Sequence, residues 1–574
     1  MQMDRISVAV PRTCVADVAQ NTKEICKLVS AAEEDEYNLL VLPELCLTGA
    51  TCGDLFRHDA LAEAVEMGIL QIAKATENHD ICVIFGAPRR VDGQLLNCAV
   101  VMHCGCELGY AAKAVGHEQA RWFASGKGQG VFEIPMSGGT CRVCVSFGYE
   151  MPAVEADVFV CLDASPTIVG AYAKRQDAVC QASLRVNVPV AYVNAGFGES
   201  TTDAVYGGEG FVFRNGTLLA ETEALSVSAQ FAGCTIPSEV SASEAAVDIS
   251  DYNDFLPNDE RCGDALREVL QIQTLGLAKR FLHTRAQRLV LGVSGGLDST
   301  LAMIVCVLMT RVLGLSASDI LAVTMPGYGT SSRTYQNAQK LMNLLNVESR
   351  EISIKAACEQ HFDDIGHDRR PDLTFENAQA RERTQILLDL AGMQNGLVVG
   401  TGDMTELALG FATYNGDHMS SYGVNAGVPK TVVRAAVRYA AECGLFDAAV
   451  GHVLLDIADT PISPELLPPL ETGDISQKTE EIVGPYDLND FFLYQTLTHA
   501  VAPREILTRA AKAFDGVYDC AYITEQLNAF NRRFFTQQFK RSCIPDGPQV
   551  FGVSLSPRGG FVMPSDAVGT GWQL

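Results

Sequence analysis

Between residues 288 and 308 the chain is committed to one local shape. The apolar run Arg288-Leu289-Val290-Leu291-Gly292-Val293 leads into Ser294-Gly295-Gly296-Leu297-Asp298-Ser299-Thr300, and a second apolar run, Leu301-Ala302-Met303-Ile304-Val305-Cys306-Val307-Leu308, follows. This reads as a buried strand, a glycine turn and a helix start. Small residues at a helix N-terminus present backbone N–H groups to an anion, and the helix dipole adds positive potential there. Gly295 and Gly296 allow positive φ and close backbone approach, and Ser294, Ser299 and Thr300 add hydroxyl donors. Asp298 repels an anion unless it holds a divalent cation that bridges to phosphate. No lysine follows the second glycine, so this is not the Gly-x-x-x-x-Gly-Lys-Ser/Thr loop.

The surrounding pattern places the loop in a parallel sheet. A helix over 265–283 precedes it. The strand Ile320–Met325, a helix over 332–345 and the strand Leu397–Gly400 come after it. Strands and helices alternating at this spacing argue an α/β, doubly wound parallel sheet, with ligands at the C-terminal strand ends. Polar clusters sit at other strand ends too: Met325-Pro326-Gly327-Tyr328-Gly329-Thr330 and Thr401-Gly402-Asp403-Met404-Thr405-Glu406. Glu406 offers a second carboxylate for a cation held by Asp298. Magnesium takes one or two carboxylates plus phosphate oxygens.

The first part of the chain is a second α/β domain. Residues 6–10, 39–42, 81–85, 100–102, 143–145, 158–162 and 190–193 read as strands of a large sheet, and 58–76 and 172–186 have helical spacing. A polar, acidic stretch from Pro237 to Asp264 breaks the pattern. The expected division is a domain over 1–245, a linker over 246–264 and a domain over 265–574, consistent with a chain too long for one core.

A formal net charge of −26 argues against a nucleic-acid partner. No apolar run reaches the ~18 residues that suggest a membrane span, and the N-terminus lacks a secretory pattern. The 19 cysteines sit mostly singly in apolar runs, as free thiols in a reducing cytoplasm would. His103, Cys104 and Cys106 form the one cluster of soft ligands. No second ligand cluster follows them, so an ordinary surface turn is the plainer expectation.

The glycine loop resembles the pyrophosphate loop of ATP pyrophosphatases, and the second half as a whole resembles the NAD synthetases. The shared stretches are Asn377-Ala378-Gln379-Ala380-Arg381-Glu382-Arg383, Tyr414-Asn415-Gly416-Asp417-His418-Met419, Val424-Asn425-Ala426-Gly427-Val428-Pro429-Lys430-Thr431, Asp459-Thr460-Pro461-Ile462-Ser463-Pro464-Glu465-Leu466 and Gln538-Phe539-Lys540-Arg541-Ser542-Cys543-Ile544-Pro545-Asp546-Gly547. The resemblance implies an adenine nucleotide alpha hydrolase-like fold and ATP-dependent amidation of deamido-NAD+ through an acyl-adenylate. It implies that Gly292, Val293, Ser294, Gly295, Gly296, Leu297, Asp298 and Ser299 cradle ATP with Thr401 nearby. Asp298 and Glu406 would hold Mg2+. Asn377, Glu406, Phe411, Ala412, Thr413, Tyr414 and Lys540 would line the deamido-NAD+ site.

The first half resembles the nitrilase-like amidohydrolases that such synthetases use to release ammonia from glutamine, which implies an α/β sandwich. The matching stretches are Leu42-Pro43-Glu44-Leu45-Cys46-Leu47-Thr48-Gly49, Thr51-Cys52-Gly53-Asp54-Leu55-Phe56, Asp163-Ala164-Ser165-Pro166 and Tyr192-Val193-Asn194. These enzymes use a Glu–Lys–Cys triad. Glu44 fits the glutamate and Lys113 the lysine. Ser146, in Val143-Cys144-Val145-Ser146-Phe147-Gly148-Tyr149-Glu150, stands where the family has cysteine. The usual acidic pair after it is Phe147-Gly148, and Ala171 replaces a basic residue. A serine hydroxyl is too weak an acid for Glu44 to deprotonate, and Cys144 lies roughly 6–7 Å back along the strand. The expected enzyme is an NAD+ synthetase fed by free ammonia, with a degenerate amidase site. Alternatives are residual glutamine use through Cys144 or Ser146, or a non-catalytic nucleotide-binding regulator. The resemblance also implies a homo-oligomer, up to an octamer.

Overall fold

The computed structural model describes residues 3–117, 119–136, 139–149, 151–243, 254–329, 332–461 and 479–574. Part of the expected linker, together with Glu150, Thr330 and Ile462-Ser463-Pro464-Glu465-Leu466, lies outside them. The chain forms two compact units, Met1–Ser200 with Val205–Ser250, and Thr201–Ala204 with Asp251–Leu574. From Cys262 onward the expected linker is already helix.

The first unit is a sandwich of two six-stranded sheets rather than one large sheet. One contains β1 (Arg5–Val10), β2 (Leu39–Val41), β3 (Cys82–Val91), β4 (Gln94–His103), β5 (Cys106–Ala112) and β12 (Gln230–Thr235), in the order β12-β1-β2-β3-β4-β5. The other contains β6 (Gln129–Met136), β7 (Gly139–Phe147), β8 (Val158–Asp163), β9 (Val190–Asn194), β10 (Gly210–Arg214) and β11 (Thr217–Glu221), in the order β11-β10-β9-β8-β7-β6. Alternation along each strand assigns the faces. Val8, Val41, Ile84 and Val101 meet Val143, Val145, Val160 and Val193 between the sheets. Leu40, Val83, Phe85 and Val100 pack outward under α1 (Val18–Glu34) and α2 (Asp59–Ala75). Cys144, Phe159, Cys161 and Tyr192 face outward under α3 (Ala171–Val186). β5, β6, β11 and β12 carry few fully buried residues, so their sequences lack the continuous apolar runs that mark the central strands.

The second unit centres on a parallel sheet of β13 (Arg288–Gly292), β14 (Ile320–Thr324), β15 (Glu348–Glu351), β16 (Gly396–Gly400) and β17 (Tyr422–Gly423), in the order β15-β14-β13-β16-β17. Its helices include α4 (Cys262–Thr284), α5 (Leu297–Val312), α6 (Ser332–Leu344), α7 (Lys355–Ile365), α8 (Leu373–Met393), α9 (Met404–Leu409) and α10 (Lys430–Glu442). The chain runs outward from β13 to β15, then returns to β16 on the other side of β13. A crevice opens at that reversal, between the C-terminal ends of β13 and β16. The loops at Ser294 and Thr401 emerge there. No described helix is long and apolar enough to cross a membrane.

Candidate functional site

The glycine loop has the geometry its sequence requires. β13 ends at Gly292 and α5 starts at Leu297, with Gly296 as its cap residue. Gly295 has φ +86°, and a Cβ there would stand 2.1 Å from the carbonyl oxygen of Thr334 on α6. Only glycine fits, and α6 therefore packs directly on the loop. The Gly296 N–H donates to Ser294 Oγ at 3.2 Å, and Ser294 Oγ lies 3.2 Å from Ser299 Oγ. Ser294 is exposed and Asp298 half-buried, so the loop is open to a ligand.

Three carboxylates converge beside it, one more than sequence reasoning paired. Ligand oxygens of Asp298, Asp403 and Glu406 all lie within 4.8 Å of one another. Asp403 and Glu406 are held by a capping box at the start of α9, where the Glu406 N–H donates to Asp403 Oδ1 at 2.8 Å. Lys430 lies among all three. Its Nζ is 2.7 Å from Asp298 Oδ2, 2.6 Å from Asp403 Oδ2 and 2.8 Å from Glu406 Oε1. A lysine at the first turn of a helix opposes the helix dipole. Lys430 starts α10, and the carboxylates compensate for that position.

Burial pushes Glu406 up to about 7, against the pull of Lys430, and holds Asp403 well above the usual carboxylate range. Burial alone would lower the Lys430 ammonium, but its three anionic neighbours outweigh this and hold it well above the ordinary lysine value. Asn425 fastens the two loops together, because its Nδ2 donates to the carbonyls of Asp298 and Thr401 at 3.0 Å each. Sequence reasoning singled out neither Asp403, Lys430 nor Asn425 for a role. The available signal was a lysine directly after a proline at a helix start.

The residues expected around the dinucleotide also gather. Lys540 Nζ donates to the carbonyls of Gly410 and Ala412 at 2.6 and 2.7 Å, and burial lowers its pKa. Thr413 Oγ1 donates to Asn377 Oδ1 at 2.9 Å. The Phe411 N–H donates to the Glu406 carbonyl at 2.9 Å, which ties this loop to the carboxylate cluster. Tyr414 is 44% exposed, and one side of its ring stacks on His418 at 5.3 Å. The Phe539 ring also packs against it, tilted, at 5.6 Å.

In the first unit Glu44 is fully buried on the turn after β2. That turn fits because Gly86 of β3 has no side chain: a Cβ there would stand 2.0 Å from the Leu45 nitrogen. Lys113 Nζ binds both Glu44 oxygens, at 2.8 and 2.7 Å, and Asn97 Nδ2 donates to Oε1 at 2.6 Å. Burial raises Glu44 and Lys113 pulls it down.

Among the described residues, no hydrogen bond joins Ser146 to this pair. Val143, Val145 and Phe147 face the inter-sheet core, and Lys113 Nζ sits 5.8 Å from the Phe147 ring centroid. Ser146 points the other way and lies 3.1 Å from Cys161 Sγ under the outer face. Cys144 shares that outer face, fully buried, and burial pushes its thiol up to about 11. The described contacts join Glu44 to Lys113 and Ser146 to Cys161, and β7 turns an aromatic ring toward the Glu44–Lys113 pair. The physical reason is strand alternation, which sends residues 144 and 146 to the face opposite 147.

Comparison with known proteins agrees with both units. Residues 5–173 match the carbon-nitrogen hydrolase family model and residues 269–509 the NAD synthase family model. The chain is 33% identical to the glutamine-dependent NAD(+) synthetase of Mycobacterium tuberculosis (strain ATCC 25618 / H37Rv), over 99% of this chain and 97% of that protein. It is 32% identical to the enzyme of the same name from Mycobacterium leprae (strain TN), with the same coverage. The crystal structure of a glutamine-dependent NAD(+) synthetase from Cytophaga hutchinsonii shares its fold, with a TM-score of 0.82 at 21% identity over 99% of this chain and 98% of that one. A nitrilase-like sandwich joined to a parallel-sheet synthetase unit defines a ligase that forms C–N bonds. The chain belongs to the glutamine-dependent NAD(+) synthetase family.

Proposed function

We propose that the second unit amidates deamido-NAD+ with ATP and that the nitrogen comes from free ammonia. The substrate carboxylate oxygen attacks the α-phosphorus of ATP, and the bond to pyrophosphate breaks. Ammonia then attacks the acyl carbon and AMP leaves with the bonding pair. Negative charge grows on phosphate oxygens in the first step. The backbone N–H groups at Gly295 to Leu297, the Ser294 and Ser299 hydroxyls and the Lys430 ammonium are preorganised to meet it. Lys540 orders the 410–414 loop against which the dinucleotide would lie, with Tyr414 as a stacking surface and Asn377 as its polar support.

The carboxylates of Asp298, Asp403 and Glu406 fit a magnesium ion, since their oxygens converge within 4.8 Å and Asp298 Oδ1 is buried without a hydrogen-bond partner. Bound there with ATP, the ion would neutralise phosphate charge. A related structure from Acinetobacter baumannii was solved with adenosine diphosphate, which supports nucleotide binding in this fold.

One observation carries the nitrogen source. Among the described residues, the hydrogen bonds to Glu44 come from Lys113, Asn97 and Gln119, and none from a thiol. A carboxylate and an ammonium without a nucleophile cannot open an amide. We read the sandwich as a retained scaffold in a cytoplasmic homo-oligomer. The names of the relatives favour a second reading, glutamine as donor.

The experiment supplies purified protein with ATP, magnesium and deamido-NAD+, and compares ammonium with glutamine. Product from ammonium alone supports the proposal. Product from glutamine that disappears in Glu44→Ala overturns it.

A further inference from the structure

A second cluster of ligand atoms lies in the first unit, at the tip of the hairpin that joins β4 to β5. His103 ends β4 and Cys106 begins β5. The turn between them is Cys104-Gly105, with φ +47° and +77°, the two positive values of a tight I′ hairpin turn. The turn folds Cys104 back beside His103, so that Cys104 Sγ is 3.5 Å from His103 Nε2. Asp80, on the segment that leads into β3, reaches the same nitrogen and places Oδ1 3.1 Å from it. The three ligand atoms all lie within 4.8 Å of one another.

These spacings are those of a metal's coordination shell. Zinc binds imidazole nitrogen at ~2.0–2.1 Å, carboxylate oxygen at ~2.0–2.2 Å and thiolate sulfur at ~2.3 Å, so tetrahedral angles set N···S at about 3.6 Å and N···O at about 3.3 Å. The observed 3.5 and 3.1 Å fall close to both. The thiol proton has an acceptor of its own, the His79 carbonyl 3.4 Å from Cys104 Sγ, so the approach of Sγ to the imidazole nitrogen is not required by its hydrogen bonding. One thiolate, one imidazole and one carboxylate are a zinc-type donor set, softer than magnesium or calcium prefers.

We propose that Asp80 Oδ1, His103 Nε2 and Cys104 Sγ bind a zinc ion, with water as the fourth ligand. Binding breaks the Cys104 S–H bond, releases that proton to solvent and forms the S–Zn bond. The ion would fasten the hairpin tip to the segment after α2. Cys104 is exposed, so the ion has an open path in. The site lies apart from Glu44 and Lys113 and does not depend on the nitrogen source.

The test treats the full-length protein with a chelator and titrates it with cobalt as a spectroscopic stand-in, then with zinc. One equivalent of cobalt should give tetrahedral d–d bands and a thiolate-to-cobalt charge-transfer band, and zinc should erase both. Cys104→Ser should lose the charge-transfer band, with its circular dichroism and ammonium-driven synthesis unchanged. Asp80→Asn should weaken zinc binding at least about tenfold. An unchanged cobalt spectrum in Cys104→Ser would place the metal on other thiols and overturn the proposal. So would wild-type protein that gives no such spectrum.

Discussion

Lys430 holds its ammonium nitrogen 2.7 Å from Oδ2 of Asp298, although 132 positions separate them in the chain. The contact joins the start of α10 to the glycine loop at the start of α5, and Asp403 and Glu406 complete the ring around the same nitrogen. The side chain is only 1% exposed. A buried charge of this kind adds little net stability over an apolar core, but removing one partner leaves the others stranded.

Lys430→Met should therefore cost about 3–5 kcal/mol in urea unfolding at neutral pH. Synthesis should fall at least about 100-fold, as when a charge-stabilising donor is lost. Millimolar magnesium should recover more stability in the variant than in the wild type, because the freed carboxylates would then share the cation. Equal magnesium effects on both proteins would argue that the three carboxylates do not form one cation site.

Two neighbouring glycines separate backbone strain from simple crowding. Gly295→Ala forces a Cβ to 2.1 Å from the Thr334 carbonyl at φ +86°. Gly296 has φ −90°, and its nearest contact would be Ser294 Oγ at 3.4 Å. Gly295→Ala should lower stability by at least about 1–3 kcal/mol, while Gly296→Ala should change it by less than about 1 kcal/mol. Thermal unfolding of the two variants side by side checks this. Similar losses would mean that α6 does not press on the loop.

Much of this site was legible because its chemistry is local in sequence. The strand, glycines and helix of the Ser294 loop lie within a few residues, and periodicity reads such a unit directly. The central strands of both units were legible for the same reason, being continuous apolar runs. What stayed hidden depends on long-range approach. Lys430 looks like any helix-start residue until β17 and α10 bring it back to β13. Asp403 reads as a helix cap, and it is one, but its second oxygen faces Lys430. The direction of Ser146 follows from strand register, where a shift of one residue reverses every side chain. Motif matching aligns residues and not faces. β5, β11 and β12 carry half-exposed strands whose patterns do not rise above those of loops.

Asp490 gives the fold a pH dependence of its own. It lies in the helix Tyr486–Thr498 and accepts hydrogen bonds from the Thr431 N–H at 2.8 Å and the Thr431 hydroxyl at 2.6 Å, and from the Thr405 hydroxyl. Burial raises it to about 6 from 3.8. A raised carboxyl contributes stability that is complete below its unfolded value and is lost as pH rises through its folded value. Unfolding free energy should thus fall by about 2 kcal/mol from this group between pH 4 and 6, and by about 3 kcal/mol over the whole titration. Asp490→Asn should remove that slope when the two proteins are unfolded with urea at several pH values. A slope unchanged in the variant would assign it to other groups.

Lys113 tests whether the Glu44 pair is now structural. Glu44 is fully buried and its main charge partner is Lys113, itself 22% exposed. Lys113→Met removes the one influence that most offsets burial, so the Glu44 titration should move further up. At pH 8 the variant must either bury an unpaired carboxylate or take up a proton against the bulk, and the loss should reach about 3 kcal/mol. At pH 5 the neutral acid forms readily, and the loss should shrink. Ammonium-driven synthesis should survive, because the proposed synthesis site lies in the other unit. Denaturant unfolding at both pH values, with the ammonium assay alongside, reads all three outcomes. A loss of stability equal at pH 5 and pH 8 would show that packing of the lysine stem, and not the Glu44 charge, is what Lys113 contributes.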